Sequence, residues 1–119
     1  MSKNEFSYLF PGLKSIKLSK KELTENIKLA KKGNNAAYEK ILGYMYNYLV
    51  YLTKIFFIQG AEAQDVFQEG AIKLLNVIEK YDSAKGGFSS FAQSSIKKHI
   101  ITTINREKAK KKSHSKYFF

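Results

Sequence analysis

Apolar residues recur along this chain at intervals of three and four, the spacing of one helix face, and no run alternates as a strand would. Leu23, Ile27 and Ala30 form a first short set, and Ser19 followed by Glu22 supplies a capping box at its start. Gly33-Asn34-Asn35 ends that helix and opens the next. Tyr38, Ile41, Leu42, Met45, Leu49, Leu52, Ile55 and Phe56 continue the spacing and predict one long helix over 36–58, stopped at Gly60. A further helix is expected over 62–81, ending at Asp82-Ser83. Lys85-Gly86-Gly87 reads as a loop, and a last helix begins near Ser89 and continues to about Lys112. Residues 1–17, with a turn at Phe10-Pro11-Gly12, lack periodicity and read as an arm. Residues 18–112 read as one helical domain and 113–119 as a tail. The expected fold is all-α, a compact four-helix domain with a basic C-terminal tail.

Two of these helices have a second face of interest. At 100° per residue, Phe67, Ala71, Leu74, Ile78 and Tyr81 make the core stripe of 62–81. The far side carries Asp65, Gln68, Glu69, Ile72, Asn76 and Glu79, with Leu75 at its border. Apolar residues beside carboxylates suit a protein partner with a basic surface, though Ile72 alone would also pass as one scattered exposed residue. In the last helix Ser89, Ala92, Ile96, Ile100, Thr103 and Ile104 point inward. Phe91, Ser94, Lys98, Ile101, Thr102 and Asn105 point outward, flanked by Lys97 and Lys108. About 25 residues at 1.5 Å each span roughly 37 Å, close to one turn of duplex DNA. Lysines on such a face can neutralise phosphates, and a Phe can stack on an unpaired base; a core anchor at Phe91 is the other reading. Lys110, Lys111 and Lys112 fit phosphate contact and a solubilising tail equally well.

Charge changes this picture more than composition does. The chain of 119 residues carries a net +11, unevenly spread. Residues 61–82 hold five acids and two bases, a net of −3, whereas 97–116 hold eight bases and one acid, a net of +7. Two partners of opposite charge are implied, the basic segment facing a phosphate backbone or, in the blander reading, solvent. The chain has no cysteine, which excludes disulfides and thiolate metal sites. It has no apolar run of about 18 residues and no signal-peptide pattern, so a cytoplasmic protein away from membranes is expected. His99 and His114 are its only histidines, neither in a metal-ligand spacing, and no nucleophile–base set or phosphate loop is visible. An enzyme or a cofactor is not expected.

The run Asp65-Val66-Phe67-Gln68-Glu69-Gly70-Ala71-Ile72-Lys73-Leu74-Leu75 resembles the D-[LV]-x-Q-E-G-x-[IL]-x-L segment of bacterial sigma-70-family factors. Gly86-Gly87-Phe88-Ser89-Ser90-Phe91-Ala92 resembles the family's G-x-x-F-x-[ST]-[YF]-A segment. Ile96-Lys97-Lys98-His99-Ile100 through Ile104 is similar to its following helix, and Tyr81-Asp82 to the [FY]-[DE] that ends the preceding one. The motifs lie in order at family spacing over 62–108, with a weaker likeness over 19–60. The resemblance is to the family's core domain, region 2, in the style of stationary-phase and sporulation factors. It implies that Asp65, Gln68, Glu69, Ile72 and Leu75 dock on the clamp helices of the largest subunit of core RNA polymerase. It implies that Phe88, Phe91, Ser94, Ser95, Lys97, Lys98, Ile101 and Thr102 meet promoter DNA, recognising the −10 element and holding the melted strand. Arg106 and Lys108 extend that set along the helix.

Two departures qualify the likeness. The Trp pair that props open the bubble in housekeeping factors is replaced here by Ser94-Ser95. The chain also carries no segment resembling the helix-turn-helix that reads the −35 element. Its ending, Arg106 to Lys112 and then Lys116 to Phe119, is similar to that of phage late-transcription sigma factors, so a separate coactivator is expected as a partner. Three readings stand: an initiation factor, a polymerase-binding regulator or adaptor, and a DNA-binding protein of a phage or mobile element.

Overall fold

The computed structural model describes residues 12–57 and 60–115, with side chains for all of these except 85 and 107–115. The turn at Pro11, residues 1–11 of the expected arm and the aromatic end at 117–119 lie outside the described residues. Among the described residues all regular structure is helical: α1 (Lys20–Lys31), α2 (Asn35–Tyr44), α3 (Tyr46–Phe57), α4 (Ala63–Lys80), a 3-10 turn (Ser83–Lys85) and α5 (Phe88–Ser115).

Local chemistry explains the boundaries. The Glu22 N–H donates to Ser19 Oγ at 3.1 Å, and the Ser19 N–H returns a bond to Glu22 Oε1 at 3.0 Å. That returning backbone donor holds the Glu22 carboxyl below the ordinary carboxylate range. Gly33, at φ 92°, takes the left-handed conformation that closes α1, and Asn34 then caps α2 by accepting the Ala37 N–H at 2.9 Å.

The single helix expected over 36–58 is two helices. They meet at Met45, yet the hydrogen-bond ladder runs through the junction, from Met45 N–H to Ile41 O at 2.9 Å and from Leu49 N–H to Met45 O at 3.0 Å. The apolar period is therefore nearly unbroken across it, which is why periodicity alone reads one element. The cause lies in residues that sequence reading assigned to an arm. Leu13 is buried, and the Ile16 N–H donates to Gly43 O at 3.2 Å, drawing an α2 carbonyl outward. A Cβ at Gly43 would lie 2.7 Å from the Lys14 carbonyl oxygen, so only glycine lets this segment pass.

α4 is the central element, packed between α3 and α5 and touched also by α1 and α2. Phe67, Leu74 and Ile78 drive its inner stripe into the core, and Phe67 meets the edge of Tyr46 at 5.6 Å between centroids. Gly70 marks the closest approach of three helices. A Cβ there would fall 2.6 Å from Leu49 Cδ2 and 3.6 Å from Ile96 Cγ2. α5 buries Ala92, Ile96, Ile100 and Ile104, as its inner stripe predicts.

Tyr38 ties α2 to α4, its hydroxyl donating to Ala71 O at 2.6 Å. Burial pushes this phenol up from 10 to about 12. A raised folded-state value means that the contribution is complete below pH about 10 and is lost as pH rises toward 12, on the order of 2 kcal/mol. Tyr38→Phe is expected to cost about 1 kcal/mol at neutral pH and to flatten the alkaline loss. Urea denaturation across the pH range checks this; an equally steep loss in the variant would assign it to other groups.

Candidate functional site

Two faces of opposite character stand on this one core. On α4, Asp65, Gln68, Ile72 and Leu75 all reach solvent, with Ile72 64% and Leu75 44% exposed. The inner stripe fixes this outcome, because burying Phe67, Ala71, Leu74 and Ile78 turns residues 65, 68, 72 and 75 outward. Glu69 differs from its neighbours. His99 of α5 lies within 2.9 Å of it, Nε2 against Oε1, and both side chains are about one-third exposed. Sequence reading placed Glu69 in a free acidic set and gave His99 no role. The pair lies 30 positions apart, and only the antiparallel register of α4 and α5 reveals it.

On α5, Ser94, Lys97, Lys98, Ile101, Thr102 and Arg106 are exposed, while Phe91 and Ser95 are half-buried. The side chain of Lys108 lies outside the described residues. Phe88 must be corrected. It is only 4% exposed, buried at the first turn of α5, and no base can stack on it in this arrangement. Its wheel angle lies near the edge of the inner stripe, and Tyr81 decides the matter by closing over it, perpendicular at 5.1 Å between centroids. Tyr81 also faces Phe91 at 5.7 Å. The Tyr81 hydroxyl donates to Gly86 O at 2.6 Å, and its carbonyl accepts from Lys31 Nζ. The sequence places Tyr81 at the end of the α4 core stripe; the structure shows it half-buried there, carrying the aromatic cluster where α4 turns into α5.

An open groove of about 1120 Å³ lies beside this cluster, between α1, the end of α4 and the start of α5. Lys20, Lys28, Lys31 and Lys80 line it together with Glu79, Asp82, Tyr81 and Ser89. The sequence pattern gives these lysines no site, because they come from two helices, α1 and α4, that only the fold brings together. Also on the groove lining, the Tyr44 and Ser89 hydroxyls lie 2.9 Å apart, and further along α5 the Tyr48 hydroxyl donates to Gln93 O at 3.1 Å.

Charge is partitioned between the faces. Asp65, Glu69 and Glu79 lie on α4, whereas α3 and residues 88–106 of α5 contain no carboxylate at all. Among the described residues no cluster of three His, Asp or Glu could hold a metal ion, and no helix is long and apolar enough to cross a membrane. Chemically the arrangement can seat an apolar surface with basic flanks on α4 and a phosphate backbone on α5.

Comparison with known proteins bears on both faces. The family model described as sigma-70 region 2 matches residues 37–110, which include α3, α4 and most of α5. An uncharacterized protein of Clostridium acetobutylicum is 31% identical over 90 residues, covering 76% of this chain and 49% of that protein. The chain thus spans about half the length of the curated relative it matches. No solved structure matches.

Proposed function

Because the chain belongs to the sigma-70 region 2 family, we propose that it acts in transcription initiation, docking on core RNA polymerase through α4 and engaging the −10 region of promoter DNA through α5. The observation that carries this reading is the separation of the two faces on one core: apolar and acidic on α4, basic and free of carboxylates over residues 88–106 of α5.

Each face has a definite task. Asp65, Gln68, Ile72 and Leu75 meet the clamp helices, with the apolar pair buried on docking and the polar residues at the rim. Lys97 and Lys98 neutralise phosphates, and Arg106 continues their line. Ser94 and Ser95 before them and Thr102 after them are small enough to let a strand approach the helix, and Ile101 offers an apolar contact. Phe91, half-buried against Tyr81, offers a ring edge to an unpaired base, so strand opening rests on it rather than on Phe88. The groove beside Tyr81, where four lysines outnumber Glu79 and Asp82, gives that strand a net positive way onward. A few lysines on one helix give little affinity by themselves, so DNA binding is expected to strengthen when polymerase presents the helix.

Run-off transcription with core polymerase tests the reading. The full chain is expected to direct transcripts that require the −10 sequence or a pre-melted template. The Lys97→Ala/Lys98→Ala double variant should lower the slope of log K against log salt by about 0.7–0.9 for each phosphate no longer neutralised. Polymerase capture without transcripts on any template would leave a clamp-binding adaptor instead, and an unchanged salt slope would remove the two lysines from the DNA interface.

A further inference from the structure

α3 carries an aromatic ridge that neither the docking face nor the α5 lysines account for. Tyr44, Tyr48, Tyr51 and Ile55 recur at intervals of four, three and four and so share one side of α2 and α3. Two hydrogen bonds fix where that side points. Tyr44 pairs with Ser89 and Tyr48 with Gln93, an advance of four residues on each partner. Continuing one turn further on the same side of each helix leads to Tyr51 on α3 and to Lys97 on α5.

Tyr48 and Tyr51 form a pair, with ring centroids 6.2 Å apart and planes inclined by 37°. They divide the work. Tyr48 is half-buried and its hydroxyl is committed to the Gln93 carbonyl, so its ring is held against α5. Tyr51 is 55% exposed and presents its ring to solvent beside it. An exposed ring held in place by its neighbour can receive a partner with a flat apolar face, and the charges here choose among partners. α3 contributes Lys54, and the neighbouring side of α5 contributes Lys97 and the 40%-exposed Ile101. No carboxylate occurs on α3 or on residues 88–106 of α5 to oppose a polyanion. Flat rings interleaved with cations and free of acids match nucleobases strung on phosphates. They do not match the basic clamp surface assigned to α4.

We propose that Tyr51, held in place by Tyr48, is a stacking platform for an unpaired base of the DNA strand that lies on α5. The site rests on the reading of α5 as a DNA face and adds a contact from a different helix. It widens the nucleic-acid surface from one helix to the seam of two, with Lys97 and Lys98 taking the phosphates and the tyrosine taking the base.

The test uses full-length chain assembled with core RNA polymerase and two labelled DNAs, a fork with one strand of the −10 segment unpaired and its fully duplex counterpart. Tyr51→Ala is expected to weaken fork binding about 10-fold, the effect of losing one stacked base. Duplex binding should change little, and Tyr51→Phe, which keeps the ring, should bind the fork as wild type does. Polymerase capture should be the same for all three proteins. Wild-type affinity of Tyr51→Ala for the fork, alongside weakened binding by Lys97→Ala/Lys98→Ala, would overturn the platform while leaving the α5 reading intact. Failure of Tyr51→Ala to capture polymerase would overturn it too, by giving the ridge to a protein partner. Failure of the wild-type complex to bind either DNA would remove the α5 reading and the platform together.

Discussion

Ile72→Lys is expected to abolish capture of core RNA polymerase while leaving the circular dichroism spectrum unchanged. Ile72 is 64% exposed on the outer face of α4, so the substitution removes no core packing. A lysine there brings a second positive charge to a surface expected to be basic, and it leaves an ammonium without a partner when water is excluded. Central apolar anchors of this kind typically carry about 2–4 kcal/mol, equivalent to roughly 30- to 1000-fold in affinity. Glu69→Lys should act in the same direction but should also release His99, so Ile72→Lys is the cleaner probe. Pull-down with purified core enzyme measures the effect, and retention at wild-type levels would sink the docking assignment for α4.

The other large effect is structural. Phe67→Ala should destabilise the domain by about 3–5 kcal/mol, a large part of the roughly 5–15 kcal/mol available to a domain of this size. The ring is completely buried, faces the edge of Tyr46, and lies one helical turn from the tight Gly70 crossing, where backbone cannot close in to fill a cavity. The midpoint of thermal unfolding should fall by roughly 4–8 °C for each kcal/mol of destabilisation. A cost under about 1 kcal/mol would mean that neighbouring side chains collapse into the vacated space.

The contrast between Ile72 and Phe67, five residues apart on one helix, shows what was legible in the sequence. The helical period separates inward from outward positions on α4 and α5 without any structure, and it assigned nearly every residue of both stripes. It fails at stripe edges, where the angle is ambiguous and a neighbour from elsewhere decides. Phe88, assigned to DNA through the resemblance and not through the period, lies at such an edge and is covered by Tyr81 after the chain has turned through Gly86. Periodicity also cannot register a helix break that preserves the hydrogen-bond ladder, as at Met45, because the cause was the segment at Leu13 and Ile16 packing from outside. Contacts between helices stay hidden for the same reason. Glu69 with His99, Tyr44 with Ser89 and Tyr48 with Gln93 depend on register, which no local pattern encodes.

The Glu69–His99 pair bears on how the two proposed interfaces respond to ionic strength. One oxygen of the Glu69 carboxylate already faces an imidazole at 2.9 Å, so a cation on the polymerase would share a group that is partly engaged. A partly exposed contact of this kind is worth about 1 kcal/mol or less and adds little net attraction. Affinity for polymerase then falls mainly to Ile72 and Leu75, whose burial is insensitive to screening by salt. The lysines of α5 are bound by the opposite rule, because each phosphate contact releases counterions and weakens as salt rises. Rising salt should therefore strip DNA from the complex first and leave the chain seated on the enzyme, still positioned for the next promoter once the salt is lowered.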